Sequence, residues 1–417
     1  MLSRSNALLA ACLGVAALTQ PALSADLSGG TTGGYNWSGL YLGIGAGAGA
    51  RIGEVEIPAG PASFNGIGGE GLFGELTVGY DYMVSPRFLL GGFANGRFGN
   101  IGSRLDLGVG SIEVKGDYGF DVGLRAGYLI SPSTLAYVLG GYTWQHFDVS
   151  SNPAGLEYDW SNSGFVVGAG LETALDGNWT LKSEYRYSHF GSEDFDTGGF
   201  LKVSPSSHAF HAGLNYRFGM NNGGGAAFET PAYDWNGLTI GAALGAGGLV
   251  HDVGIGGLGV GFNGVGAEGF LGEVSVGYDR EFGGNWVAGV LADARYATVS
   301  TDLKGPGFSA SLEADYGFDV LARIGYKIGG GTLVYALGGY SYQHFDVDVS
   351  GLGSVYDWGA SGFSVGGGIE TAVTERATIN LEYRYSDYGS EDFGSGGLFE
   401  VEPSAHTVRA GFKFKLM

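Results

Sequence analysis

Apolar and polar positions alternate along this chain with a period of two, the spacing that puts successive side chains on opposite faces of a β-strand. From Trp179 to Phe190, Trp179, Leu181, Tyr185 and Tyr187 fall on one face, and Thr180, Lys182, Glu184, Arg186 and Ser188 on the other. From Tyr118 to Leu129, Phe120, Val122, Leu124, Ala126 and Tyr128 oppose Asp121, Gly123, Arg125 and Gly127. Phe210, Ala212, Leu214, Tyr216 and Phe218 likewise oppose His211, Gly213, Asn215 and Arg217. The pattern predicts strands over 39–49, 71–82, 88–98, 118–130, 135–148, 164–175, 179–190 and 209–218. The connections alternate in length. Val84-Ser85-Pro86-Arg87, Ser131-Pro132-Ser133-Thr134 and Asp176-Gly177-Asn178 read as tight turns, whereas 50–70, 99–117, 149–163 and 191–208 read as long loops.

The second half repeats the first at a constant offset of 198 residues. Tyr35-Asn36-Trp37-Ser38-Gly39 returns as Tyr233-Asp234-Trp235-Asn236-Gly237, Gln145-His146-Phe147-Asp148-Val149 at Gln343 to Val347, and Glu184-Tyr185-Arg186-Tyr187 at Glu382 to Tyr385. A period this long is a duplicated domain and not a solenoid unit. The expected organisation is a signal peptide over 1–25, a first domain over 26–218, a linker over 219–237 and a second domain over 238–417.

Glycine supplies 83 of the 417 residues and proline 10, with no Gly-X-Y period, which excludes collagen. An aromatic content of 13% excludes a disordered linker. Arg4, the apolar run 7–18 and the small residues of Ala22-Leu23-Ser24 have the form of a secretory signal cut after Ser24 or Ala25. Gln20 and Pro21 end the run short of the ~20 residues a spanning anchor needs. Leu9-Ala10-Ala11-Cys12 matches a lipoprotein box in residue types, but the apolar run before it is short. Cys12 is the single cysteine, so cleavage after it leaves nothing to form a disulfide. No segment beyond the signal has the uncharged apolar length of a membrane helix. The formal net charge of −21 argues against nucleic acid, which is bound through basic patches.

An exported chain of alternating strands is either a soluble β-protein or an outer-membrane barrel. Predicted strands of about ten residues suit a tilted bilayer crossing better than the roughly five or six of a soluble sheet. Rings gather at strand ends, as in an interfacial girdle, and the polar faces mix opposite charges with glycine. Short turns on one rim and long loops on the other complete the plan. The expected fold class is all-β: a transmembrane antiparallel β-barrel in a Gram-negative outer membrane, with both ends periplasmic and the long loops extracellular.

Trp37-Ser38-Gly39-Leu40-Tyr41-Leu42-Gly43, Val78-Gly79-Tyr80-Asp81, Leu139-Gly140-Gly141-Tyr142, Val167 to Glu172, Leu181 to Tyr187 and Ala212 to Phe218 occur in this order. In these segments the chain resembles the small eight-stranded outer-membrane barrels of alphaproteobacteria, the porin-like surface-antigen family related to the OmpA-type barrel, here in tandem duplication. The resemblance implies outer-membrane lipid and lipopolysaccharide as surroundings, and the barrel-insertion machinery as a partner in biogenesis. Family members normally carry one barrel and end on an aromatic residue. Here the end is Phe414-Lys415-Leu416-Met417, with Leu416 in the place of Phe218.

Glu75, Arg97, Asp121, Arg125, Glu172, Glu184 and Arg186 face inward in this register, and Glu273, Arg295, Asp319, Arg323, Glu370, Glu382 and Arg384 repeat them. Lys182 becomes Asn380, and Arg217 becomes Lys415. An eight-stranded barrel is just wide enough for side chains to fill, and buried charges must pair. The expectation is a salt-bridged plug; a narrow or gated ion path is the competing reading. His146 and Asp148, repeated by His344 and Asp346, form a candidate outward cation site, with Glu193-Asp194 and Glu391-Asp392 in the fourth long loop. The plain alternative is a solvated strand end beside an acidic loop. Trp144, Trp160, Trp179 and Trp358 read as interface anchors. The single G-x-S-x-G string, Gly362 to Gly366, falls inside the second copy's equivalent of strand 164–175 and opens no helix, and no catalytic residue, cofactor or further metal site is expected.

Two functions fit. One is a structural and surface-interaction protein with acidic extracellular loops and an unspecified surface ligand. The other is one sixteen-stranded porin-type channel for passive diffusion of small solutes. The 19 residues from Gly219 to Gly237 separate them: a single barrel needs only a tight turn there. The expectation is two tandem eight-stranded barrels.

Overall fold

The computed structural model describes residues 35–57, 62–107, 109–155, 157–175, 177–194, 202–219, 231–255, 260–328, 331–393 and 399–416. The signal peptide and residues 220–230 of the linker lie outside them. The first copy contains β1 (Gly39–Ile57), β2 (Ala62–Met83), β3 (Phe88–Leu107), β4 (Ser111–Ser131), β5 (Thr134–Asn152), β6 (Glu157–Ala174), β7 (Trp179–Phe190), the short β8 (Glu193–Asp194) and β9 (Lys202–Arg217). The second contains β10 (Gly237–Ile255), β11 (Val260–Phe282), β12 (Trp286–Gly305), β13 (Phe308–Ile328), β14 (Thr332–Val349), β15 (Gly353–Ala372), β16 (Ala377–Asp387), the short β17 (Glu391–Phe393) and β18 (Phe399–Lys415). Among the described residues no helix is long and apolar enough to cross a membrane.

All strand pairs are antiparallel, and within each copy the first strand also pairs with the last. β1 pairs with β2 along one edge (Gly39↔Asp81) and with β9 along the other (Tyr41↔Arg217). β10 pairs in the same way with β11 and β18 (Gly237↔Asp279, Thr239↔Lys415). Short ladders then join the copies: β11 to β3 from Val260↔Leu107 to Asn263↔Arg104, β12 to β2 at Leu303↔Phe64, and β11 to β2 at Val265↔Ile67. All the strands thus belong to one connected sheet.

The period-two pattern is inverted relative to a soluble sheet. Leu124 is 73% exposed while the next residue, Arg125, is 4% exposed. Leu40, Leu42, Ile44, Leu76, Val78 and Tyr80 are exposed, and Glu75, Thr77 and Asp81 are buried. The solvent this surface expects is hydrocarbon.

Three of the segments expected as long loops, 50–70, 99–117 and 149–163, are mostly strand. β2 spans 22 residues and β11 spans 23, about twice the length that crosses a bilayer. Once a ladder is formed, each further residue adds backbone hydrogen bonds, and the bulges at Gly53/Val55, Phe98/Ile101 and Gly116/Gly119 shift its register without ending it. The end of the expected linker also has a structure of its own: Tyr233 and Trp235 are buried in the base of the second ring.

The contacts between the two copies are arranged about a pseudo-two-fold axis. Residues exactly one repeat apart can touch only on a rotation axis, and several do. Thr134 Oγ1 and Thr332 Oγ1 are 3.0 Å apart near the short-turn end. Ile67 pairs with Val265 near the other end. Gly68 and Gly266 pack so closely that a Cβ on either would lie 2.6 Å from the Cα of the other, so both positions require glycine. Off the axis the contacts are reciprocal, as in an isologous interface. Glu70 accepts from Ser404 Oγ at 2.8 Å and meets His406 Nε2 at 2.9 Å; Glu268 accepts from Ser206 Oγ at 2.6 Å and meets His208 Nε2 at 3.0 Å. Each imidazole is held from behind by a tyrosine hydroxyl, Tyr383 or Tyr185, at 2.7 Å. Phe210 stacks on Tyr383 with ring centroids 4.9 Å apart.

This seam gives a direct test. The double variant Thr134→Cys/Thr332→Cys places two thiols where hydroxyls now touch, within reach of disulfide geometry. After oxidation of intact outer membranes it is expected to migrate differently on denaturing gels without reductant, and to revert with reductant. Two rings that do not meet along this line would leave both thiols free.

Candidate functional site: a charge-filled lumen

Strand parity delivers the site. In β2, Glu75, Thr77, Gly79 and Asp81 share the inner face; in β4 Asp121 and Arg125 do; in β7 Lys182, Glu184 and Arg186 do. All seven inward charges expected in each copy are buried. Near the short turns of the first ring, Arg125 Nε donates to Asp81 at 2.9 Å and its Nη1 donates to Glu172 at 2.9 Å. Arg217 bridges the same two acids, with Nη1 to Asp81 at 2.8 Å and Nη2 to Glu172 at 2.9 Å. Thr180 and Asn215 donate to Glu172 as well.

A second layer sits above it. Arg186 donates to Asp121 at 2.7 Å and to Glu184 at 2.6 Å. Arg97 reaches Asp121 at 3.0 Å. Lys182 holds Glu75 at 2.7 Å, with His211 Nδ1 on its other oxygen at 2.8 Å. Asn95 donates to Glu75, and Tyr137 donates to Glu184 at 2.7 Å. Below both layers the lumen is closed by Trp37, Leu89, Leu129 and Leu135. Trp37 Nε1 donates to the Pro132 carbonyl at 3.1 Å, and the Arg217 guanidinium lies 4.8 Å over the Trp37 ring.

The second lumen reaches the same end with different residues. Arg323 holds Asp279 and Glu370, as Arg125 does Asp81 and Glu172. Asn380 stands where the first copy has Lys182, and Arg409 stands where it has His211. Arg409 Nε takes over the acid, reaching Glu273 at 2.8 Å. Lys413, in the place of Asn215, holds Glu370 at 2.8 Å. The counterpart of Arg217 is Lys415, which turns out of the lumen to the Asp234 carboxylate at 2.7 Å. That hydrogen bond, with the backbone N–H of Asn236, lowers the Asp234 carboxyl to about 2. Asp293 replaces Asn95 and pairs with Arg384 at 2.7 Å.

Sequence reasoning missed Asp81, Asn95 and Tyr137. Asp81 and Asn95 share the parity of Glu75 and Arg97 and were readable from it. Tyr137 was not, because an aromatic inside the lumen breaks the expectation of apolar side chains facing outward.

The candidate cation site does not assemble as expected. His146 Nδ1 meets Asp117 at 2.9 Å and its Nε2 meets Asp159 at 3.5 Å, while Asp148 meets Lys115 at 3.9 Å. His344 repeats this with Asp315 and Asp357, and Asp346 accepts from Ser354. In an antiparallel ladder the nearest groups are those of the neighbouring strands, and these take both imidazole nitrogens. Among the described residues no group of three or more His, Cys, Asp or Glu is arranged to hold a metal. Burial works against the charged form of His146, but the carboxylates of Asp117 and Asp159 outweigh it and raise its pKa above the ordinary 6.5.

Two expectations follow. In the first ring, Lys182→Asn leaves Glu75 short of its cation and is expected to cost about 3–5 kcal/mol, the scale of a broken buried ion pair. Adding His211→Arg copies the second ring's arrangement and is expected to restore most of the loss, read as urea midpoints in a double-mutant cycle. Simple additivity of the two changes would mean the copies are not equivalent solutions. The other concerns pH. A raised folded-state pKa makes the His146 contribution complete below about 6.5 and lost as pH rises through the raised value. The stability difference between wild type and His146→Gln is therefore expected to be larger near pH 5 than near pH 9, and a flat difference would contradict the pairing.

Comparison with known proteins identifies the family. The family described as "Outer membrane protein beta-barrel domain" matches residues 8–218 and again 225–414. The chain is 27% identical over 215 residues to the 31 kDa outer-membrane immunogenic protein of Brucella melitensis, covering 44% of this chain and 85% of that one. It is 33% identical over 150 residues to the 22 kDa outer membrane protein of Rhizobium leguminosarum, covering 35% and 66%. Among solved structures it is similar to Neisserial surface protein A, at 19% identity and a TM-score of 0.28, over 43% of this chain and 98% of that one. The toluene transporter TodX of Pseudomonas putida matches at 9% identity and a TM-score of 0.28, over 90% and 89%. With the family matched across both halves, the chain belongs to the outer-membrane β-barrel proteins and carries their domain twice.

Proposed function

We propose that this protein is a structural and surface-interaction component of the outer membrane, built as two side-by-side eight-stranded barrels (26–218 and 238–417), and not a diffusion channel or an enzyme. The observation that carries the reading is the filling of the lumen. Arg125 and Arg217 lie between Asp81 and Glu172, with Trp37 beneath them. Among the described residues, interior cavities lined by Arg97 and Phe147 in the first copy, and by Glu273 and Arg384 in the second, measure about 40 and 10 Å³. That is room for a few waters at most in the first and barely one in the second, not for a solute file. Each deep carboxylate already faces a cation, which leaves none poised as a base or nucleophile.

In this reading the short turns and both chain ends are periplasmic, and the extended hairpins stand outside the cell. Their acidic rims, with Asp117, Asp148 and Asp159 in the first copy, would meet lipopolysaccharide, divalent counter-ions or a host surface. The names of the Brucella relatives, outer-membrane immunogenic proteins, suit hairpins that are accessible from outside. Outer-membrane lipid and the barrel-insertion machinery remain the proposed partners.

The test is single-channel recording of the refolded full-length protein in planar bilayers. No sustained porin-sized conductance is expected. Steady large steps would overturn the plugged reading in favour of the sixteen-stranded channel.

A further inference from the structure

An apolar crevice of about 880 Å³ opens on the outer surface where the two rings meet. Its first wall includes Leu90, Ala126 and Val138, and its second includes Leu244, Leu381 and Phe412. The volume is that of a site for a sizeable small molecule. The lining positions sit within about six residues of the short turns, which at ~3.3 Å per residue and ~45° tilt keeps the crevice in one leaflet. The crevice continues the seam between the copies, since Leu381 and Leu171 belong to the apolar cluster that joins them.

We propose that this crevice binds one anionic glycerophospholipid of the periplasmic leaflet, with its acyl chains between the rings and its phosphate at Arg87. The site rests on the orientation proposed for the barrels, with short turns periplasmic. In hydrocarbon, apolar burial favours no occupant over bulk lipid, so selection must come from two-sided packing and from the headgroup. The rim supplies the headgroup contact. Arg87 is exposed beside Val84 and Phe88, which line the crevice, and its Nη1 donates to the Tyr128 hydroxyl at 3.0 Å, holding the guanidinium at the mouth. Of the first copy's short turns, 84–87 and 131–134 contain no acid and 176–178 contains Asp176. On the second wall Arg376 is exposed in the turn before β16, next to Glu375. A guanidinium paired with a phosphate is the strong, bidentate kind of contact.

The experiment is native mass spectrometry of the full chain, purified from outer membranes in mild detergent and supplied with palmitoyl-oleoyl phosphatidylglycerol. One phosphatidylglycerol is expected to survive detergent release on wild type. Arg87→Gln is expected to weaken retention about tenfold, the loss of one charge-assisted hydrogen bond. Ala126→Trp, which fills the crevice from an exposed strand position, is expected to abolish retention, and Val122→Trp, equally exposed but outside the crevice, to leave it unchanged. Heat-modifiable migration of each sample reports the barrels independently of the lipid. Heat-modifiable protein that retains no lipid, or equal retention by Ala126→Trp, overturns the site while leaving the barrel reading intact. Retention of lipopolysaccharide in place of phospholipid overturns the site and, with it, the assigned orientation.

Discussion

Hydrocarbon cannot hydrogen-bond a peptide group, and the rest of this structure follows from that. Every N–H and C=O at membrane depth must find a partner in the sheet, so a sheet must close. Here β9 pairs with β1 and β18 with β10, so the last long strand of each copy returns to its first, as the proposed eight-stranded barrels require. Eight strands fix a width that side chains alone can fill. Inward side chains are therefore packed tightly, and their charges lose water. They persist only because Arg125, Arg186 and their partners satisfy one another.

The two lumens show what that requirement does and does not specify. Arg125 and Arg323, Arg186 and Arg384, and Tyr137 and Tyr335 occupy equivalent places and make equivalent contacts. Around them the cations move. The neutraliser of Glu75 comes from β7 as Lys182, and that of Glu273 comes from β18 as Arg409. Neutralisation is required of each layer, while the strand that supplies it is free to change.

Much of the fold was legible in the sequence. Period-two alternation reports which side chains share a face, so parity alone assigns the seven inward charges of each copy. The reach of the strands was not legible. Segments such as Gly66 to Gly71 are so rich in glycine that their alternation is faint, yet they continue the ladder. The seam was invisible for a different reason. Leu171, Leu181 and Phe210 face outward whether the neighbour is lipid or another ring, and the two apolar surroundings leave the same residue types. Polar contacts such as Glu70 with His406 and Glu268 with His208 betray the seam, and their partners lie far apart in sequence.

The continuity of the chain between the rings bears on how strong that seam must be. Phe218 ends one ring and Gly237 begins the other on a single polypeptide. Each ring therefore meets its neighbour at an effective concentration in the millimolar range typical of short linkers, however few molecules the membrane holds. Contacts too weak to keep two separate proteins together in a dilute bilayer suffice when association has become intramolecular. Two serines, two histidines, two glutamates, a threonine pair, short backbone ladders and the close approach of Gly68 and Gly266 can then hold the copies in one arrangement.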